Sequence, residues 1–144
     1  MKQLYIMSKK RTGAYNRIRG HRAEQQIVNE LKELGFIGVK SSRSESKSAD
    51  DNKIDIVDTK NQLPCFIQIK HTLSTPQYFT IREESTVPNN KFCIIWDKQK
   101  RCKTNIVTVG SAVIMDKELF YELIKPYAKG ETENRKCSSD IQGS

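Results

Sequence analysis

An α/β fold with a central mixed sheet is predicted by three features of the sequence. Residues 18–34 and 115–128 carry apolar side chains at helical spacing, and five short β-branched or apolar runs lie between them. Their order is helix, three strands, a variable segment, two strands and a helix, which suits one sheet flanked by helices. With 144 residues and 36% hydrophobic content, the chain has the size of one domain around a single core.

Residues 1 to about 18 show no sustained period and include Gly13, so the expectation is a mobile arm with a short ordered piece around "QLYIM". "IRGHRAEQQIVNELKEL" places Ala23, Ile27, Leu31 and Leu34 on one helical face, and Gly35 marks the stop. "FIGVKS" reads as a short strand, and "SRSESKSADDN" as an exposed polar loop. "KIDIVD", the turn "TKNQ" and "PCFIQIKHT" form a β-hairpin pattern. Pro76 and Pro88 bound an ambiguous stretch with room for one helical turn. "KFCIIWD" is a nearly continuous apolar run, as in a central strand, and "QKRCKTN" is a basic turn into the strand "IVTVGSAVIM". "MDKELFYELIKPYA" closes the domain as a helix capped by Asp116 and ended near Pro126. The final "KGETENRKCSSDIQGS" is almost devoid of apolar residues and is expected to be disordered.

The formal charge of +8 is unevenly placed: seven Lys/Arg and no acid precede Glu24, whereas the 18 basic residues beyond nearly balance 17 acids. Such a positive segment attracts polyanions, nucleic acid first, through counterion release. No apolar run approaches the roughly 20 residues of a membrane span, and the first residues lack a secretory apolar stretch. The expectation is a cytoplasmic or host-intracellular, nucleoid-associated protein that is not secreted. Cys65, Cys93, Cys102 and Cys137 form no CxxC pair, so free thiols are expected, two of them buried in strands.

Charged and amide groups stand inside the hairpin where a buried strand is normally apolar. Asp55 alternates with Ile54 and Ile56, while Gln68 and Lys70 share the face opposite Ile67 and Ile69. Antiparallel pairing gathers Asp55, Gln68 and Lys70 at one edge. A carboxylate, an amide oxygen and an ammonium there can hold a hard divalent cation and polarise a water or phosphate oxygen. Glu24 borders the core-facing side of the first helix and is a candidate fourth member, although an acid near a helix start is also explained by the helix dipole. His21 is expected to meet DNA or solvent, and His71 to point away from Lys70. Trp96 reads as core.

The succession "RGHRAEQQIVNELKELGF", a Ser/Arg-rich loop, "KIDIVD" and "CFIQIKHT" resembles the PD-(D/E)XK nuclease superfamily, and within it the archaeal-type Holliday-junction resolvases. Gly20, Ala23, Glu24, Gly35, Phe36, Asp55, Gln68 and Lys70 fall on that family's pattern, as does Tyr78. The likeness runs from about residue 17 to 80. It implies a restriction-endonuclease-like fold over residues 17–128, between a basic arm (1–16) and a disordered tail (129–144). It further implies a homodimer that cleaves branched DNA, the four-way junction, with Mg²⁺ as cofactor and Mn²⁺ able to substitute. By this resemblance Glu24, Asp55, the Gln68 side chain and the Ile69 carbonyl would hold the metal, and Lys70 would orient water and stabilise charge on the phosphate. Arg17, Arg19, Arg22, Lys40, Arg43, Lys47 and Tyr78 would contact DNA.

The chain departs from the pattern at Gln68, where the family usually carries Glu. An amide lacks the negative charge that tightens metal binding, though its carbonyl oxygen can still coordinate, and Asp50 and Asp51 lie nearby to restore charge. Two other readings therefore stand beside the junction resolvase: a nuclease of this fold acting on flaps, mismatches or foreign DNA, and a junction-binding protein without catalysis. The apolar run "IVTVGSAVIM" is a candidate dimer surface.

Overall fold

The computed structural model describes residues 2–44, 54–88 and 91–128. Helix α1 (Lys2–Glu33) leads into β1 (Val39–Ser41) and a 3₁₀ turn (Ser42–Ser44), followed by β2 (Ile56–Asp58), β3 (Phe66–Thr72), α2 (Tyr78–Glu84), β4 (Phe92–Arg101), β5 (Ile106–Met115), α3 (Lys117–Ile124) and a second 3₁₀ turn (Lys125–Tyr127). The five strands lie in sequence order in one sheet, antiparallel except for the parallel β3–β4 pair, so the sheet is mixed as expected. A parallel pair needs a crossover, and α2 supplies it.

Alternation in β3 and β4 divides the core between two faces. Ile67, Ile69 and Cys93 pack with Ile56 and Val39 beneath Ala23 and Val28 of α1 and Leu119 of α3. Phe92 and Ile94 meet Tyr78 of α2 on the opposite face, with Ile81 and Trp96 at the margin. Because β4 is covered on both sides, its first residues are apolar without interruption.

Helix α1 ends as the glycine forecast. Gly35 adopts φ 110°, its N–H bonds to Lys32 O at 3.0 Å, and Phe36 N–H reaches Leu31 O at 3.0 Å. That pair of bonds is a Schellman closure, and it returns Phe36 to the core beside Leu31. At the hairpin turn the Asp58 carboxylate accepts from the N–H groups of Lys60, Gln62 and Leu63 at 3.1, 2.6 and 2.7 Å. Burial works against the charge, but these donors outweigh it and hold the carboxyl below its ordinary range.

Several boundaries differ from expectation; β1 and β2 are shorter than the runs "FIGVKS" and "KIDIVD", so that Asp55 precedes its strand. The first helix begins at Lys2 rather than near Ile18, so the basic segment continues the helix that carries Glu24. Its Lys, Arg, Gln, Met, Leu and Ala residues are good helix formers, and no proline interrupts them. Strand β4 extends to Arg101, taking in Gln99, Lys100 and Arg101 from the expected turn, which narrows to a Cys102 N–H···O Asn105 closure of 2.7 Å. The stretch between Pro76 and Pro88 holds the seven-residue α2. The end of the Ser-rich loop (45–53), with Lys47, Asp50 and Asp51, and the tail 129–144, with Cys137, lie outside the described residues.

Asp116 caps α3 as expected, accepting from Leu119 N–H at 2.8 Å. Cys65, Cys93 and Cys102 are free thiols. Cys93 is buried in β4, whereas Cys65 is only half-buried and just precedes β3; their sulfurs are 3.4 Å apart, and that contact with burial raises the Cys93 thiol. Among the described residues, no helix is long and apolar enough to cross a membrane.

Candidate active site

The polar residues of the hairpin meet α1 in a cleft of about 440 Å³, lined by Arg19, Glu24, Asp55, Gln68, Ile69 and Lys70 among others. Asp55 just precedes β2; its N–H donates to Ile67 O at 3.0 Å and its carbonyl accepts from Ser42 N–H at 2.9 Å, fixing the backbone between two neighbours. Its carboxylate crosses to β3 and accepts from Ile69 N–H at 2.6 Å. A strand residue presents its N–H and carbonyl to the same edge, so the Ile69 carbonyl lies on the Asp55 side of β3.

Burial raises the Asp55 carboxyl from its ordinary 3.8 to about 6; the Ile69 N–H bond opposes this, Glu24 adds to it, and Lys70 and Arg43 oppose it. Glu24 is itself buried at 5% exposure. Its Oε2 accepts from Ser41 Oγ at 2.9 Å and pairs with Arg43 Nε at 3.2 Å. Two buried carboxylates close enough to affect each other are costly in a bare protein, and a cation is the natural partner for both.

Gln68 supplies the third group. It is 6% exposed, and its Oε1 is buried without a hydrogen-bond partner among the described residues. Leaving such an acceptor unsatisfied costs roughly 1–3 kcal/mol, and an oxygen-seeking cation would satisfy it. Among the described residues no three His, Cys, Asp or Glu side chains cluster as a metal site. The oxygen set is thus two carboxylates, an amide oxygen and a strand carbonyl, with the Lys70 ammonium at the same cleft. These donors fit a hard divalent ion, with fewer charges than three carboxylates would give.

The residues expected at DNA are distributed differently. Arg17 and Arg22 are exposed on α1, Lys40 is exposed on β1, and half-buried Arg19 lines the cleft. Arg43 turns inward to pair with Glu24. Tyr78 is a correction: it is 7% exposed, its hydroxyl donates to Phe92 O at 2.8 Å and accepts from Asp116 N–H at 3.1 Å, and its ring stacks on Phe92. A tyrosine so placed joins α2, β4 and the start of α3 and cannot stack on a base. His21 is exposed. His71 also lines the cleft, against Asp97 and Gln99. Neither Gln99 at the cleft nor Asp97 behind His71 was legible, because the parallel register that sets β4 beside β3 has no local signature.

The family model of the archaeal Holliday junction resolvases (Hjc) matches residues 15–88, just over half of the chain. The match contains Glu24, Asp55, Gln68 and Lys70 and stops before β4. Comparisons with curated proteins and with solved structures gave no match. The five-stranded mixed sheet with flanking helices agrees with the restriction-endonuclease-like fold, and the chain belongs to the archaeal Holliday junction resolvase family, a family of junction-cleaving nucleases.

Proposed function

We propose that this chain is a Mg²⁺-dependent endonuclease that hydrolyses phosphodiesters symmetrically at four-way DNA junctions, with Mn²⁺ able to replace Mg²⁺. The observation that carries the metal dependence is the Gln68 oxygen, unpartnered among the described residues and buried in the cleft that also holds Glu24, Asp55 and Lys70. Glu24, Asp55, the Gln68 side chain and the Ile69 carbonyl would hold the ion. When bound, it supplies Lewis acidity at a phosphoryl oxygen. Lys70 orients the attacking water and counters charge that develops on the phosphate. Asp55, pinned by Ile69 N–H, keeps its geometry before DNA arrives. Arg17, Arg19 and Arg22 on α1, with Lys40, supply phosphate contacts along the basic side.

Symmetric cleavage calls for two sites, and a homodimer provides them. Strand β5 is an edge strand with exposed Ile106, Val107, Val109 and Val113, and α3 adds exposed Phe120 and Tyr121. This apolar surface supports a contact between two copies.

The test is cleavage of a labelled four-way junction beside linear duplex and flap DNA, with Mg²⁺, Mn²⁺ or chelator, for the unsubstituted chain and Lys70→Ala. Paired nicks in the junction that need metal, with at least a hundredfold loss in Lys70→Ala but retained binding, are expected. Cleavage of flaps alone would replace the junction substrate. Tight junction binding without cleavage under either metal would replace the enzyme reading by a binding protein, with Gln68 marking the lost site.

A further inference from the structure

The pairing of β4 with β5 is irregular at one point. Lys98 pairs with Gly110 but Gln99 pairs with Thr108, so the register slips between Lys98 and Gln99 and Val109 is left over on β5. Bulges of this kind re-aim side chains and are common beside active sites. Here Gln99 is buried at 4% exposure between exposed Lys98 and Lys100. Burying an amide among charged neighbours needs a reason, since each polar group must find a partner.

The partners define its orientation. Gln99 Nε2 lies 2.9 Å from Thr108 Oγ1, 3.2 Å from Asp97 O and 3.4 Å from His71 Nδ1. A backbone carbonyl can only accept, so the amide nitrogen belongs on that side and the amide oxygen faces the other way. On that side it accepts from Arg19 Nη2 at 2.5 Å, reaching from β4 to α1. Behind it, His71 Nε2 lies 3.3 Å from Asp97 Oδ2 without hydrogen-bond geometry, and Asp97 accepts from Ser111 Oγ. A layered polar network thus ends on one guanidinium, and Arg19, Gln99 and His71 all line the cleft that holds Asp55 and Lys70.

We infer that Gln99 is a positioning residue that holds the Arg19 guanidinium at the wall of the cleft, where it binds a phosphate of the junction strand next to the one cleaved; this rests on the nuclease reading above. A neutral amide suits the task better than a carboxylate, because it fixes the arginine without cancelling its charge. Only one of the five N–H donors is used by Gln99, which leaves a fork for phosphate oxygens. Fixing a long side chain before DNA binds removes part of the ordering cost.

The experiment is junction affinity in chelator as a function of salt for the full chain, Arg19→Ala, Gln99→Leu and the double variant, with thermal melts to check folding. Arg19→Ala should weaken binding about tenfold and make the slope of log K against log salt shallower by about 1. Gln99→Leu should weaken binding several-fold in the unsubstituted background and less than twofold in Arg19→Ala, because it acts through Arg19. Gln99→Glu should also weaken binding, since it holds the arginine but neutralises it. If Gln99→Leu does not fold, Thr108→Val, which frees one anchor of the amide, should show the same dependence on Arg19. Equal losses in both backgrounds would overturn the inference while leaving the nuclease reading intact. Failure of the unsubstituted chain to bind the junction would overturn both.

Discussion

Replacing Asp55 by Asn should abolish cleavage and, in metal-free protein at pH 8, stabilise the fold. The reason is the cost of an ionised Asp55 in the bare site. Its carboxyl titrates near 6 in the folded protein against an ordinary 3.8, with burial the leading cause. A folded value above the unfolded one means that the folded state holds the proton longer. Stability therefore falls as pH rises from about 3.8 to about 6 and stays lower above that window. The full cost is about 3 kcal/mol, from roughly 1.4 kcal/mol for each tenfold change in proton affinity. Asparagine keeps an oxygen for Ile69 N–H and carries no charge, so it recovers most of this, a rise in Tm of roughly 10 °C for a domain of this size. The assay is thermal unfolding of both proteins in chelator from pH 4 to pH 8. The difference should be largest at pH 8 and vanish near pH 4. Saturating Mg²⁺ should narrow it by stabilising only the protein with the intact site. A variant less stable than the parent at pH 8, or a gain independent of pH, would refute the reasoning. Asp55 would then be satisfied without a cation, and the site would not be poised for one.

Three further outcomes follow from the same geometry. Gln68→Glu turns the unpartnered oxygen into a third carboxylate, so the Mg²⁺ concentration for half-maximal cleavage should drop roughly tenfold while metal-free stability falls; metal titration of cleavage and melting checks both. Protons compete with metal at Asp55, so the Mg²⁺ requirement should rise as pH falls below about 6, read by isothermal titration across that range. Asp116→Ala removes the α3 cap at Leu119 N–H and the 3.4 Å contact with Arg82, and should cost about 1–2 kcal/mol in urea unfolding without changing the metal requirement.

How much of this was legible from the chain depends on the range over which each feature is determined. The hairpin alternation, the Gly35 stop and the Asp116 cap are local, because a strand's period, a left-handed residue and a first-turn N–H act over a few residues. The placement of Asp55, Gln68 and Lys70 at one cleft is an extension of the hairpin, and the sequence carried it. The length of α1 was misjudged because apolar periodicity reports burial, and a run of good helix formers such as Lys, Arg and Gln satisfies its own backbone without it.

The sequence by itself determined the α/β class, the polar quartet and the concentration of charge at the first helix. Tertiary structure decided what those residues meet. The parallel pairing of β3 with β4 set Asp97 beside His71 and brought β4, with Gln99, to the cleft, a relation between distant residues with no periodicity to announce it. The same packing turned Tyr78 inward, where the carbonyl of Phe92 and the N–H of Asp116 needed its hydroxyl, and drew Arg43 toward Glu24. A buried polar group is settled by whichever partner the fold delivers, and that partner comes from distant parts of the chain.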